Sequence, residues 1–146
     1  MFKKQILFHY AALAAIVLPG ITRAETENTK PLIDWHRDFQ SMTAPGRSAE
    51  AKKPLLLRFY ARWCGPCRVM DARVWPDADV ARAVNERFTP VEIDIDSPEA
   101  DALVRQYGII GVPTIILLSR EGQEVARANF MSPEQTVAFL KNEAAE

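Results

Sequence analysis

Apolar positions along the 146-residue chain fall into two alternating patterns. Leu55 to Tyr60, Pro90 to Ile95 and Thr114 to Leu118 are short continuous apolar runs, the pattern of strands buried on both faces. Val125 to Phe130, entered through the Glu121-Gly122 turn, reads as the hairpin partner of the third run. Between these the spacing becomes helical. Cys64 to Arg73 carries Val69, Met70 and Val74 at helical spacing; Trp75-Pro76 interrupts it, and Asp77 caps a second helix through Phe88. Ser97-Pro98 opens a third helix, with serine as cap, proline at the first position and Ala102, Leu103 and Tyr107 as the apolar stripe. Ser132-Pro133-Glu134-Gln135 is a capping box before a last helix whose inward face is Val137, Phe139 and Leu140. Leu32 to Met42 is more weakly patterned and reads as a short strand and a helix ending near Pro45-Gly46. This order predicts an α/β class, with a central mixed β-sheet flanked by helices.

The first 24 residues stand apart. Lys3 and Lys4 precede an apolar run from Ile6 to Leu18, then Pro19-Gly20 and the small residues of Thr22-Arg23-Ala24. This is the layout of a secretory signal peptide cleaved after Ala24, and the run is shorter than the ~20 residues of a spanning helix. The expected organisation is a leader over 1–24, a polar tether with an N-terminal strand and helix over 25–53, and a core over 54–146 that forms one domain with 31–53. Export to a periplasm-like, oxidising compartment is the expected localisation, with no stable membrane insertion after cleavage.

Composition then narrows the chemistry. Hydrophobic residues at 48% and charged residues at 25% belong to a globular chain rather than a disordered one. Lys and Arg number 18 against 19 acids, so no basic field favours nucleic acid; without the leader the balance is 15 to 19, a net of −4. The chain has two cysteines, Cys64 and Cys67, too few for a multi-disulfide scaffold or a four-cysteine zinc site. They sit in Trp63-Cys64-Gly65-Pro66-Cys67, after a strand and at the opening of a helix. Unpaired N–H groups and the helix dipole favour a thiolate there, so Cys64 is the expected nucleophile and Cys67, one turn further in, the resolving thiol. Gly65-Pro66 is read as the tight entry into the helix. A purely structural disulfide closing a ~4-residue loop constrains the unfolded chain little. Zinc needs more ligands than the two thiols and the distant His36 offer. Copper(I) held by the two thiolates is the alternative outside thiol exchange, since soft ligands suit it.

Gly111-Val112-Pro113-Thr114 lies just before a strand, where proline is tolerated only at the first position or in a special bend. Together with Trp63-Cys64-Gly65-Pro66-Cys67 about 50 residues earlier, it resembles the thioredoxin superfamily, over Pro54 to Lys141. The resemblance implies the thioredoxin fold and a cycle between a dithiol and a Cys64–Cys67 disulfide. It also implies a cis Val112-Pro113 bond facing the cysteines, the Val112 backbone pairing with substrate as an added strand, and docking around Trp63, Gly65, Pro66, Val112 and Pro113. Phe59 to Cys64, the Val74 to Val80 insertion, Gly122-Gln123-Glu124 and Phe130-Met131 are similar to the carboxy-terminal domain of DsbD-type transmembrane reductases. That branch implies a free-standing exported relative with no cofactor, disulfide-containing periplasmic proteins as partners, and a transmembrane thiol carrier as electron donor. Gly65-Pro66 is instead the dipeptide of cytosolic thioredoxins. A reductase is expected, with an oxidase or isomerase as the rival and a copper(I) metallochaperone as the reading from another class.

Two positions depart from the family. Where thioredoxins carry a buried aspartate and a lysine on the neighbouring strand, this chain has Arg58 and Glu92. An inverted ion pair that tunes the thiols electrostatically is one expectation; an Arg58 that snorkels to solvent is the other. An arginine cannot accept the proton of the resolving cysteine. Asp71, two turns after Cys64 on the same helix face, is the expected substitute relay, set against a solvated Asp71 paired with Arg68. Arg62, Arg68 and Arg73 ring the motif as a solvated rim with the charge to steer acidic partners.

Overall fold

Leu55, Leu56, Leu57 and Phe59 are buried on both sides of the first strand, β1 (Leu55–Tyr60), because the chain places a layer of helices against each face. The computed structural model describes residues 32–43 and 53–142. The expected leader, the tether and the Pro45-Gly46 helix end lie outside the described residues. In chain order the elements are α1 (Phe39–Thr43), β1, α2 (Gly65–Arg73), α3 (Ala78–Arg87), β2 (Thr89–Asp94), α4 (Ala100–Gln106), β3 (Thr114–Leu118), β4 (Glu124–Ala128) and α5 (Pro133–Asn142).

The sheet runs β2-β1-β3-β4, with β1 and β2 parallel and the other two pairings antiparallel. It is the mixed sheet that the sequence predicts. Period-two alternation divides its side chains. Leu56, Ile115 and Leu117 pack with Met70, Val80, Val84 and Leu140, from α2, α3 and α5. Leu55, Leu57, Phe59, Val91, Ile93, Ile116 and Leu118 pack on the other face with Ala100, Leu103 and Phe39. Each such Leu, Ile, Val or Phe contributes about 1.5–3 kcal/mol when fully buried. Arg58 lies on the Leu56 face, a charge set among apolar positions.

Local signals place the helices. Cys64 is the N-cap of α2, and the helix ends where Val74 and Trp75 both return N–H bonds to the Met70 carbonyl, just ahead of Pro76. Asp77 caps α3 by accepting from Asp79 N and Val80 N at 2.9 and 3.1 Å. Ser132 and Gln135 form the capping box of α5, with Ser132 N donating to Gln135 Oε1 at 2.9 Å and Gln135 N to Ser132 Oγ at 3.3 Å. Gly122, at φ 84°, occupies the left-handed region that the β3–β4 turn requires.

Several expectations need correction. Helix α4 begins at Ala100, not at Ser97-Pro98, and Ser97 is not its side-chain cap; Asp94 and Ser97 close tight turns first, through Ser97 N to Asp94 O and Ala100 N to Ser97 O. Ala102 faces solvent rather than the core. Strand β2 is Thr89–Asp94, one residue earlier than read, because Thr89 N pairs with Pro54 O. Strand β4 ends at Ala128 rather than Phe130, since its register against Ile115 stops there. The strand read before α1 shrinks to one bridge, His36 to Val91. Val69, expected in the α2 stripe, is exposed, and the buried side of that short helix is Cys67 and Met70. In α5 the buried Thr136 turns its hydroxyl back to Ser132 O at 2.8 Å, so a polar residue shares the inward face with Leu140.

Candidate active site

β1 delivers the chain to Ala61, and Cys64 N closes the turn on Ala61 O at 3.2 Å. Cys64 is extended (φ −70°, ψ 109°), the geometry of an N-cap, and its Sγ accepts from Cys67 N at 3.1 Å. The sulfur therefore sits where a helix start offers an unpaired N–H, and a negative charge on it would be stabilised. Pro66 occupies the first turn of α2, where no helical N–H is lost. Gly65 has no left-handed backbone, and a Cβ there would meet only the Arg68 guanidinium at 4.0 Å. The expected tight entry into the helix thus does not demand glycine.

Cys64 and Cys67 are joined in a disulfide, and both are buried. Ala61 packs with them, and Tyr60, Ile95 and Val112 close around the pair. The Val112-Pro113 peptide is cis, and the Val112 carbonyl oxygen lies 3.5 Å from Cys64 Sγ. Trp63 beside Cys64 is 64% exposed, and Ile110, ahead of the loop, is fully exposed. The structure thus brings Cys64, Cys67, Val112 and Pro113 together, with Trp63, Gly65 and Pro66 beside them along the chain.

Arg58 does not reach for solvent. Its side chain is 6% exposed and bonds Asp71, with Glu92 Oε2 at 3.7 Å on the other side. The rings of Tyr60, Trp35 and Trp75 surround the guanidinium carbon at 4.7, 5.3 and 5.6 Å. Cation–π attraction in so dry a place reaches ~2 kcal/mol or more. Glu92 also accepts from Arg37 Nε at 2.8 Å, which raises the Arg37 pKa above its usual value. Arg37, Glu92, Arg58 and Asp71 form a charge-alternating row across one end of the sheet. Tyr60 lies between this row and the cysteines; its phenol is raised by burial, then by Glu92 and Asp94, while Arg58 and Arg37 oppose the rise.

Asp71 is therefore paired with Arg58, not with Arg68. Arg68 donates instead to the Arg62 carbonyl at 3.1 Å, and Arg62 Nε stands 3.7 Å from Asp94. Trp35, Trp75, Arg37, Thr114 and Asn129 carry no site role in the sequence reading, where Trp75 only ends a helix and Thr114 only follows Val112-Pro113. A charge inside an apolar strand was the one signal for the first three, since a buried arginine demands partners.

A fold of this topology with a disulfide at a helix start defines a class. The thioredoxin-like domain family model matches residues 44–144, so the chain belongs to that family. Among its relatives are thiol:disulfide interchange proteins DsbD. That of Neisseria meningitidis serogroup A is 37% identical over 71 residues, covering 48% of this chain and 12% of that protein. That of Yersinia pestis (strain Pestoides F) is 27% identical over 141 residues, covering 90% of this chain and 24% of that protein. The chain thus spans a quarter or less of the DsbD relatives it matches. In solved structures, the oxidised C-terminal domain of N. meningitidis DsbD superposes with a TM-score of 0.54 at 29% identity, covering 62% of this chain and 80% of that one. A thioredoxin from Thermus thermophilus, at 24% identity, superposes at 0.67 over 77% of this chain and 88% of that one, a likeness of fold. No helix among the described residues is long and apolar enough to cross a membrane.

Proposed function

We propose that this chain is an exported reductant of protein disulfides. The observation that carries the reading is the Cys64–Cys67 pair at the start of α2, with Cys64 Sγ facing the Val112 carbonyl. In the dithiol form, Cys64 as thiolate attacks one sulfur of a partner disulfide. The partner's S–S bond breaks, its other sulfur leaves as thiolate and takes a proton, and a mixed disulfide forms. Cys67 loses its proton to Asp71 and attacks Cys64 Sγ, releasing the partner's second thiol and forming the Cys64–Cys67 bond. Two electrons have then moved to the partner, and a transmembrane thiol carrier of the DsbD kind restores the dithiol. Trp63, Gly65, Pro66, Val112 and Pro113 dock the partner, a disulfide-bearing periplasmic protein. The leader over 1–24 and the DsbD relatives support the compartment.

Direction rests on charge. An uncompensated cation near the site would stabilise the thiolate and make the couple oxidising. Arg58 is compensated by Glu92 and Asp71, which mutes that effect, and Gly65-Pro66 is the dipeptide of reducing relatives. The test is the equilibrium potential of Cys64–Cys67 against glutathione. A value near the ~−270 mV of thioredoxin is expected; one near the ~−120 mV of DsbA would make the protein an oxidase. Stoichiometric copper(I) retention by the dithiol form, without turnover of a disulfide, would replace both readings with metal handling.

A further inference from the structure

The segment that carries Val112 to the disulfide is held by two side chains outside the cysteine motif. Thr114, the buried first residue of β3, donates its hydroxyl to the Gly111 carbonyl at 2.7 Å. Asn129, the first residue beyond β4, donates from Nδ2 to the Pro113 carbonyl at 3.1 Å and to Thr114 Oγ1 at 3.3 Å. Strand register explains the reach. Ile115 pairs with Ala128, so Asn129 stands one rung further, beside Thr114, where the backbone ladder stops. A side-chain amide takes over at that rung. Oxygens of Gly111, Pro113 and Thr114 thus share one network, and Val112 lies in the middle of it with its carbonyl directed at Cys64 Sγ.

The chemistry of the loop makes this brace consequential. Pro113 has no N–H, so the backbone here offers an incoming extended segment the amide and carbonyl of Val112. Those two groups are useful only at a fixed height above Cys64, since main-chain pairing tolerates little displacement. The amide of Asn129 suits its place because both groups facing it accept. A carboxylate of the same shape has no donor, and would set its charge against the Pro113 carbonyl.

We propose that Asn129 and Thr114 are positioning residues that hold the Val112 backbone in register for polypeptide disulfides. They act on docking and leave the exchange chemistry of the cysteines untouched. The proposal rests on thiol–disulfide exchange at Cys64 and holds for either direction of electron flow.

The test compares two oxidants of the dithiol protein. Insulin presents its disulfides on a polypeptide whose backbone can pair with Val112; dithiobis(nitrobenzoate) is a small disulfide with no backbone to pair. Asn129→Asp and Thr114→Val are expected to slow oxidation by insulin about two- to tenfold, the worth of a lost hydrogen bond, in KM rather than kcat. Oxidation by the small disulfide and the glutathione equilibrium potential should stay unchanged. Thr114→Ser, which keeps the hydroxyl, should restore the insulin rate. Equal slowing with both oxidants, a shifted potential, or an unaltered insulin rate in both Asn129→Asp and Thr114→Val would overturn the proposal. A wild-type protein inert toward both oxidants would instead remove the exchange reading beneath it, and the proposal with it.

Discussion

At position 58 the strand turns a guanidinium toward the same face as Leu56 and Tyr60, and the surroundings show what that costs. Stripping water from a charge is expensive, and removing one partner of a buried ion pair costs roughly 3–5 kcal/mol. Three aromatic rings and two carboxylates compensate Arg58. Asp71 differs from Glu92 in being 45% exposed, so water reaches the group that we assign to accept the Cys67 proton. Replacing it with asparagine keeps an oxygen for Arg58 but removes the base. Asp71→Asn is expected to slow resolution of the mixed disulfide on the order of tenfold near neutral pH, below the ~10²–10⁴ of a dedicated base. Stopped-flow traces from pH 6 to 9 check this; an unchanged rate and pH profile would end the relay role. Arg58 itself was legible as an anomaly of pattern. Its aromatic surround was not, because Trp35 and Trp75 lie 23 and 17 positions away along the chain, and nothing in their spacing ties them to residue 58.

At the scale of elements, the junction between α2 and α3 sets how the helix that Cys64 caps is anchored. Trp75 is buried at this corner and meets Trp35 edge-to-face at 5.1 Å, and Pro76 ends one helix so that Asp77 can begin the next. Removing the cap in Asp77→Ala orphans the N–H groups of Asp79 and Val80. A loss of about 1 kcal/mol, or four to eight degrees in Tm, is expected by calorimetry. The thiol potential should not move, because the cap lies at the far end of the corner from Cys64. This cap and the capping box at Ser132 were readable in the sequence because both are local: donor and acceptor lie within three residues. Ser97-Pro98 shows the limit of such reading. The motif is sound by itself, but Asp94 and Ser97 close tight turns first and push the helix start to Ala100.

For the molecule as a whole, alkaline pH is the informative stress. Burial raises the Tyr60 phenol above its ordinary value near 10, so the folded state holds that proton to higher pH than the unfolded chain does. The contribution of Tyr60 is fully present below pH 10 and is lost as pH rises through the folded value. Denaturant melts at pH 9 and pH 11 should show the loss, and Tyr60→Phe should diminish it. An equal loss in the variant would assign the effect to other groups. Sequence by itself determined the class of fold, the order of the main strands and helices, the cysteine pair at a helix start, and Val112-Pro113. Each of these is written in spacings of a few residues or in a compact motif. Only the tertiary structure decided who surrounds Arg58, which acid bonds it, and that Asn129 braces the loop beside Cys64. Those partners lie far apart along the chain and meet only when the sheet forms, through register and packing that no local pattern encodes.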